Sequence, residues 1–231
     1  MRARRPARGV VMTARHRRVK LHFSRKHQNW HIAEWANVLF SDESRFTVSH
    51  NDGRMRVWRR QGERFAACNV VQVDGFGGGS VMVWAGICLG SRTDLYILPP
   101  GGITGLRYRN EVLEPIVRPF AAAMGDGFVF MQDNARPHTA RVSMDFLEEE
   151  GIDVMDWPAC SPDLNPIEHC WDIVGRRVRG RAHPPRTVYD LRAALVEEWA
   201  NIPQNDIDRL ITSKPNRCNE CVNARGGHTR Y

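Results

Sequence analysis

The stretch Trp157-Pro-Ala-Cys-Ser-Pro-Asp-Leu-Asn-Pro-Ile-Glu168-His-Cys-Trp171 predicts a sharp turn that leads directly into a helix. The prolines at 162 and 166 keep the residues before them out of the α region, which favours turns at Ser161 and Asn165. Asn165 can cap the helix, with Pro166 at its first position. The apolar residues that follow recur at helical spacing and define one buried face: Ile167, Trp171, Val174 and Val178.

Glu168 lies at the start of this helix, beside the apolar face. Taken alone, it completes a capping box with Asn165 and needs no further role. A catalytic role becomes the better interpretation only because two other acids occur at matching positions elsewhere in the chain. Asp163 in the turn and Asp172 one turn beyond Glu168 compete with it for that role.

Two apolar runs predict buried strands, and each leads to an aspartate. Val38-Leu39-Phe40 is followed by Asp42, and the run from 127 to 132 is followed by Asp133. We predict that these are neighbouring strands of one α/β sheet, with both carboxylates at its carboxyl edge, where open α/β sheets bind ligands. The helix that begins near Glu168 can bring a third carboxylate to the same edge.

Such a carboxylate cluster points to divalent metal ions. Three carboxylates within about 5 Å of one another would repel by several kcal/mol at an effective dielectric constant of about 20. The cluster is therefore either protonated or neutralised by cations, and oxygen ligands suit Mg²⁺ or Mn²⁺. Two ions about 4 Å apart can activate a water or a 3′-hydroxyl and stabilise the leaving oxygen of a phosphodiester.

The positive charge of the chain is concentrated at its N-terminus. The 231 residues include 33 Lys or Arg and 26 Asp or Glu, a net charge of +7, and residues 1–33 contain ten of the basic residues and no acid. This asymmetry favours a polyanionic partner for a basic arm at 1–32. We predict a mobile tail at 1–12 and a helix at 14–27 capped by Thr13. This helix is either a solvated helix on the surface of the domain or a functional segment that contacts DNA or serves as a nuclear localisation patch. The candidate DNA contacts are Arg15, Arg17, Arg18 and Lys20.

A second basic cluster follows the Glu168 helix, at Arg176, Arg177, Arg179 and Arg181. Cations at a helix C-terminus favour the macrodipole, but four of them within six residues also suggest contacts to DNA phosphates. Cys218 and Cys221 have the spacing of metal ligands, yet no second pair accompanies them, and ordinary reduced cysteines are the better interpretation. No apolar run approaches the length of a membrane span.

The remaining pattern predicts further strands and helices. Asn51-Asp52-Gly53 predicts a hairpin between strands at 45–49 and 54–59, and a strand is expected at 93–98. A helical segment at 107–124 should be kinked or divided by Pro115 and Pro119. Asn134 is expected to begin a turn that is followed by a helix ending at about Glu150. A short strand is expected at 152–157 and another helix from Thr187. The glycine-rich run at 75–80 is not a phosphate-binding loop, because a strand and not a helix follows it.

Four blocks resemble the signature motifs of the Tc/mariner superfamily of DDE transposases. They are Phe40-Ser-Asp42-Glu-Ser-Arg-Phe, Gly78-Gly-Ser-Val-Met-Val-Trp84, Gln132-Asp-Asn-Ala-Arg-Pro-His138 and Ser161-Pro-Asp-Leu-Asn-Pro-Ile-Glu168. The 34 residues between Asp133 and Glu168 match the Tc branch of that superfamily. The resemblance extends from about residue 13 to Tyr231.

This resemblance implies a ribonuclease H-like α/β fold, a mixed sheet flanked by helices, in a catalytic domain at 33–231. Its C-terminal helical part would be 184–231, and a clamp-like loop at 57–80 would contact a partner subunit. Asp42, Asp133 and Glu168 would bind two Mg²⁺ ions, with Mn²⁺ as a substitute. Asn134 and His138 would support them from behind.

The implied activity is excision of a transposon by strand hydrolysis and integration of its 3′ ends at TA sites, performed in the nucleus by a homodimer on double-stranded DNA. The family places paired helix-turn-helix modules before this domain, and no counterpart is seen, so an N-terminally truncated copy is expected. One alternative is a non-catalytic, transposase-derived nuclear DNA-binding protein, and another is a plain nuclease of the same fold. The intact set of three acids favours the catalytic interpretations.

Overall fold

The computed structural model describes residues 11–48 and 79–231, together with the backbone of four short strands: β1 (Arg2–Arg4), β2 (Ala7–Arg8), β4 (Val57–Arg59) and β5 (Val70–Val71). β1 pairs antiparallel with β4, and β2 pairs parallel with β5. Within the segment 1–12, where a mobile tail was predicted, residues 2–4 and 7–8 are thus paired as strands. The predicted turn at 51–53, residues 75–78 of the glycine-rich run and most of the clamp-like loop lie outside the described residues.

The centre of the fold is a six-stranded mixed sheet. Its strands are β3 (Val38–Thr47), β6 (Ser80–Cys88), β7 (Ser91–Arg92), β8 (Tyr96–Leu98), β9 (Val129–Met131) and β10 (Asp153–Val154). The order is β10-β9-β3-β6-β7, with β8 also pairing with β6. β10, β9 and β3 are parallel, and β6 is antiparallel to β3. The predicted α/β class with a mixed sheet is confirmed.

β3 differs from the prediction in its length. We expected a first strand to end before Ser41 and a second to begin at Arg45, but β3 is one strand of ten residues. The reason is its antiparallel partner, because β6 pairs with it without interruption from Phe40 to Thr47. Asp42 therefore lies in the middle of β3 rather than at its carboxyl end.

Helices cover both faces of the sheet. They are α1 (Ala14–His27), α2 (Ile32–Ala36), α3 (Gly105–Tyr108), a π-helical segment (Arg109–Val117), α4 (Arg118–Met124), α5 (Arg141–Glu149), α6 (Ile167–Gly180), α7 (Val188–Ala200), α8 (Gln204–Thr212) and α9 (Lys214–Asn223). Thr13 caps α1 as predicted, since its side chain accepts a hydrogen bond from the backbone of His16. Pro115 lies in the π-helical segment, so the helix widens there and is not broken.

Alternate residues of β3 pack into two separate cores. Phe40 points into a core formed with α6, α7, α8 and α9, which includes Trp171 and Leu195. Leu39 points to the other face, into a core with Tyr108 and the helical segment from 105 to 124. This alternation is the period of a β-strand covered on both faces. In the described part of the chain, no helix is long and apolar enough to cross a membrane.

Candidate catalytic site

The register of the parallel strands brings the first two acids level with each other. β3 and β9 pair from Val38 with Val129 to Phe40 with Met131. The same register, continued two residues further, places Asp42 level with Asp133, which follows the end of β9 after one intervening residue, Gln132. Asp133, just beyond the carboxyl end of β9, is therefore level with Asp42 in the middle of β3.

Asp42 is held by the helix that carries the third acid. The indole Nε1–H of Trp171 donates to Asp42 Oδ2 at 3.1 Å. Burial raises the pKa of Asp42 well above its ordinary value, and the carboxylates of Glu168 and Glu43 raise it further, against the lowering effect of the Trp171 hydrogen bond. The ionised form of Asp42 is therefore disfavoured by its surroundings in the protein.

Asp133 has a different environment because His138 compensates its charge. His138 Nδ1 lies 2.7 Å from Asp133 Oδ1, and its Nε2 lies 3.1 Å from Glu43 Oε1. Burial lowers the pKa of His138, but these two carboxylates outweigh burial and raise it to about 10. The imidazole is therefore protonated and donates from both nitrogens. In return, hydrogen bonds from His138 and from the backbone of Ala135 outweigh burial and lower the pKa of Asp133.

Glu168 stands in the first turn of α6, and its carboxylate interacts with both aspartates. Burial raises its pKa to about 7, with further increases from Asp172 and Asp133. The predicted capping box is not formed, because the backbone N–H of Asn165 donates to Pro162 O. Asn165 instead accepts from Ile167 N at 3.3 Å and donates to Ser41 O at 3.1 Å. The turn before Glu168 is thereby bonded to β3, one residue from Asp42.

The chemistry of these donors fits a divalent cation. Burial and the neighbouring carboxylates together raise the pKa of Asp42 and of Glu168, and a positive charge at the site would favour their ionised forms. The side chains are not drawn together into a closed ligand set. Within residues 11–48 and 79–231, no group of three His, Cys, Asp or Glu side chains is close enough to enclose a metal ion. The carboxylates of Asp42, Asp133 and Glu168 thus interact electrostatically but do not form a complete metal-binding site.

The two competing acids have other surroundings. Both carboxylate oxygens of Asp163 lie 2.6 Å from Lys20 Nζ, and Thr229 also donates to Asp163. Asp163 is thus already neutralised, and it points away from solvent. Asp172 is exposed on α6, one turn beyond Glu168. Of the three acids in this region, Glu168 is the one whose carboxylate raises the pKa of Asp42.

The basic candidates divide into exposed and engaged residues. Arg15, Arg17 and Arg18 are exposed on α1, but Lys20 is completely buried in its ion pair with Asp163, so the prediction that Lys20 contacts DNA was wrong. In the second cluster, Arg176 and Arg179 are exposed.

The other two arginines of that cluster bond to the C-terminal helices. Arg177 Nη1 donates to Asn201 O at 2.9 Å, and Arg181 forms salt bridges with Glu197 and Glu198. Both half-buried side chains join the end of α6 to the C-terminal end of α7, and their contact with DNA stays a prediction.

Several contributors to the site carried no recognisable signal in the sequence. Glu43 binds His138 from the strand that carries Asp42, and the ring of Tyr108 stacks on His138 at 4.3 Å while its hydroxyl donates to Gln132. Asn134, expected to support the acids, instead donates its side-chain amide to Trp157 O at 2.8 Å. This bond therefore fastens the segment before the turn to the residue that follows Asp133. Cys218 and Cys221 are buried in α9.

Comparison with known proteins gives one consistent family. Residues 37–191 match the family described as a DDE superfamily endonuclease. The chain is 38% identical to the transposable element Tcb2 transposase of Caenorhabditis briggsae and 34% identical to the transposable element Tc1 transposase of Caenorhabditis elegans. Each match covers 99% of this chain and 82% of the relative.

Among solved structures, the fold is similar to that of the Mos1 mariner paired end complex with Mn. The TM-score is 0.77 at 18% identity, and the match covers this whole chain and 68% of the Mos1 chain. At this identity the likeness bears on the fold alone. It agrees with the expected ribonuclease H-like architecture, a mixed sheet with helices on both faces.

Proposed function

Because this chain belongs to the DDE superfamily endonucleases, and within them to the Tc1/mariner type of transposase, we propose that it cleaves and joins DNA strands with Asp42, Asp133 and Glu168 as its metal-binding acids. The observation that carries this assignment is geometric: the register of β3 and β9 brings Asp42 level with Asp133, and the helix that carries Glu168 in its first turn bonds to Asp42 through Trp171. The raised pKa of Asp42 and of Glu168 agrees with it. A carboxylate cluster of this kind serves phosphodiester chemistry when divalent cations neutralise it.

We further propose that two Mg²⁺ ions bind there, with Mn²⁺ as a substitute. When bound, they supply a polarised water or 3′-hydroxyl whose oxygen bonds to phosphorus, and they stabilise the oxygen that leaves as the old P–O bond breaks. The residues of the chain orient this chemistry. Trp171 holds one oxygen of Asp42, His138 holds one oxygen of Asp133, and the bond from Asn165 to Ser41 fixes the start of α6.

The substrate we propose is double-stranded DNA, both as paired transposon ends and as a TA target, bound by a homodimer in the nucleus. The exposed arginines of α1 support a DNA partner, since phosphate contacts by Arg and Lys supply most of the non-specific affinity for DNA. The Mos1 transposase, whose fold this chain shares, was solved in a paired-end complex with its left transposon end, which supports transposon-end DNA as the partner proposed here.

The experiment that tests the proposal incubates the chain with Mg²⁺, a labelled duplex carrying a nick with a 3′-hydroxyl, and a supercoiled plasmid. Joining of the label to the plasmid supports the transposase. Hydrolysis without joining supports a plain nuclease of this fold. Binding without turnover, in either Mg²⁺ or Mn²⁺, supports the non-catalytic DNA-binding protein and overturns the proposal.

A further inference from the structure

The turn that leads into Glu168 is surrounded by buried cations. Lys20 from α1 and Lys214 and Arg217 from α9 are each at most 1% exposed. Charged side chains are almost never buried to this extent unless they are paired. All three direct their donors at the same two residues, Asp163 and Leu164.

Each cation makes a defined hydrogen bond to the turn. Lys20 Nζ lies 2.6 Å from both carboxylate oxygens of Asp163, and Arg217 Nη1 donates to Asp163 O at 2.9 Å. Lys214 Nζ donates to Leu164 O at 2.9 Å. The next residue along the chain is Asn165, whose amide bonds to β3 beside Asp42. The chain is therefore held at three consecutive residues shortly before Glu168, at two of them through backbone carbonyls and at Asn165 through its side chain.

Lys214 stands in a box of aromatic rings. Its Nζ lies 4.5 Å from the ring centroid of Trp35, 5.0 Å from Trp157, 5.2 Å from Phe40 and 5.9 Å from Phe23. Ring faces attract an ammonium group, yet burial still lowers the pKa of Lys214 to about 8. An apolar side chain would fill this box at a lower desolvation cost, so packing alone does not account for a lysine here.

We propose that Lys20, Lys214 and Arg217 are positioning residues, which hold the turn at Asp163–Leu164 so that Glu168 faces the two aspartates. This inference rests on the proposed function of the three acids. With this role, the two sides of α1 serve different purposes. Arg15 and Arg18 face solvent, whereas Lys20 connects the same helix to the catalytic turn.

The test compares Lys20→Met and Lys214→Met with the matched control Lys26→Met, which changes an exposed lysine of α1. Plasmid nicking is measured at saturating DNA over a range of Mg²⁺ concentrations, together with DNA affinity and thermal unfolding. We expect both buried variants to nick about tenfold more slowly and to need about tenfold more Mg²⁺ for half-maximal rate, as for other groups that orient metal ligands. The DNA affinity of both buried variants should stay within about twofold of wild type. For the control, the nicking rate, the Mg²⁺ requirement and the unfolding temperature should stay close to wild type, and only DNA affinity is expected to change.

A merely structural role would lower the unfolding temperature and leave the Mg²⁺ requirement unchanged, which would overturn the proposal. If Lys20→Met does not fold, Lys214→Met decides by the same criteria, because methionine fits an aromatic box. Loss of folding in both variants would also overturn it. A wild-type chain that does not nick DNA in Mg²⁺ or Mn²⁺ would refute the proposed function itself, whereas an active wild type with unchanged variants would refute only the positioning role.

Discussion

Trp171 and Asp42, 129 residues apart in the chain, are joined by a hydrogen bond of 3.1 Å from the indole N–H to Oδ2. Trp171 lies one turn after Glu168 on α6, so the same helix presents one acid and restrains another. Any displacement of α6 would move Glu168 and release Asp42 together. The bond therefore couples the packing of α6 on the sheet to the geometry of the candidate metal site.

Trp171→Phe should slow metal-dependent DNA cleavage about tenfold, because it keeps the aromatic packing and removes the hydrogen bond that orients Asp42. Trp199→Phe is the matched control. Trp199 packs beside Trp171 at 5.1 Å and donates its indole N–H to Thr93 O, away from the acids. Single-turnover cleavage measures the effect. Equal slowing in both variants would mean that loss of core packing, and not the Asp42 hydrogen bond, is responsible.

Glu168→Gln should abolish turnover, whereas Asp172→Asn should leave it within about threefold of wild type, since an exposed surface substitution has small effects. Glu168 interacts with both aspartates, but Asp172 faces solvent one turn further along α6. Nicking of a supercoiled plasmid in Mg²⁺ and in Mn²⁺ provides the measurement. The assignment of the third acid is wrong if Asp172→Asn is the inactive variant.

The exposed and engaged arginines of α6 should behave differently toward DNA. Changing Arg176 and Arg179 to Gln should weaken binding and reduce the slope of log affinity against log salt by about one for each DNA phosphate that the protein no longer neutralises. Arg177→Gln and Arg181→Gln should leave that slope unchanged and lower thermal stability, because these side chains bond to α7. Fluorescence anisotropy over a series of salt concentrations distinguishes the two pairs.

Local patterns in the sequence predicted the elements around the site well. The apolar stripe of α6 is buried at the four predicted positions, and the two apolar runs are adjacent parallel strands, because burial periodicity is a property of each segment by itself. The cap of α1 at Thr13 was predicted for the same reason, since it depends on residues one turn apart.

Long-range partners were not predictable in this way. Lys20 and Asp163 are separated by 143 residues, and nothing in the basic run of α1 distinguishes Lys20 from its exposed neighbours. The length of β3 depended on β6, which supplies hydrogen bonds beyond the point where β9 ends. The pairing of Glu43 with His138 likewise required the register of two strands. Each of these features is decided by a partner that a single segment does not specify.

Binding of Mg²⁺ should weaken as the pH falls, because metal must displace a proton from Glu168, whose pKa in the metal-free protein is raised to about 7 by burial and neighbouring carboxylates. Between about pH 8 and about pH 6 the half-saturating Mg²⁺ concentration should rise about tenfold for one displaced proton, and more if Asp42 also takes up a proton. Isothermal titration at the two pH values, in buffers of different ionisation enthalpy, reports the protons released. Binding that is independent of pH would contradict the raised pKa.

Glu168→Gln should stabilise the metal-free protein at about pH 8. The pKa of Glu168 rises from an ordinary value of 4.5 in the unfolded chain to about 7 in the folded one, so the folded state binds more protons between these values. Unfolding free energy therefore increases as the pH falls from about 7 toward 4.5, and at higher pH the charged carboxylate destabilises the fold by about 1 to 3 kcal/mol.

Glutamine removes this charge, so the stability of the variant should exceed that of wild type at about pH 8, and the difference should vanish near pH 4.5. His138 also contributes a pH dependence, since its pKa is raised to about 10, but it is present in both proteins and its share largely cancels in the difference. Urea unfolding without metal at several pH values measures the effect. Saturating Mg²⁺ should reverse the order, because only wild type keeps the third carboxylate for the ions.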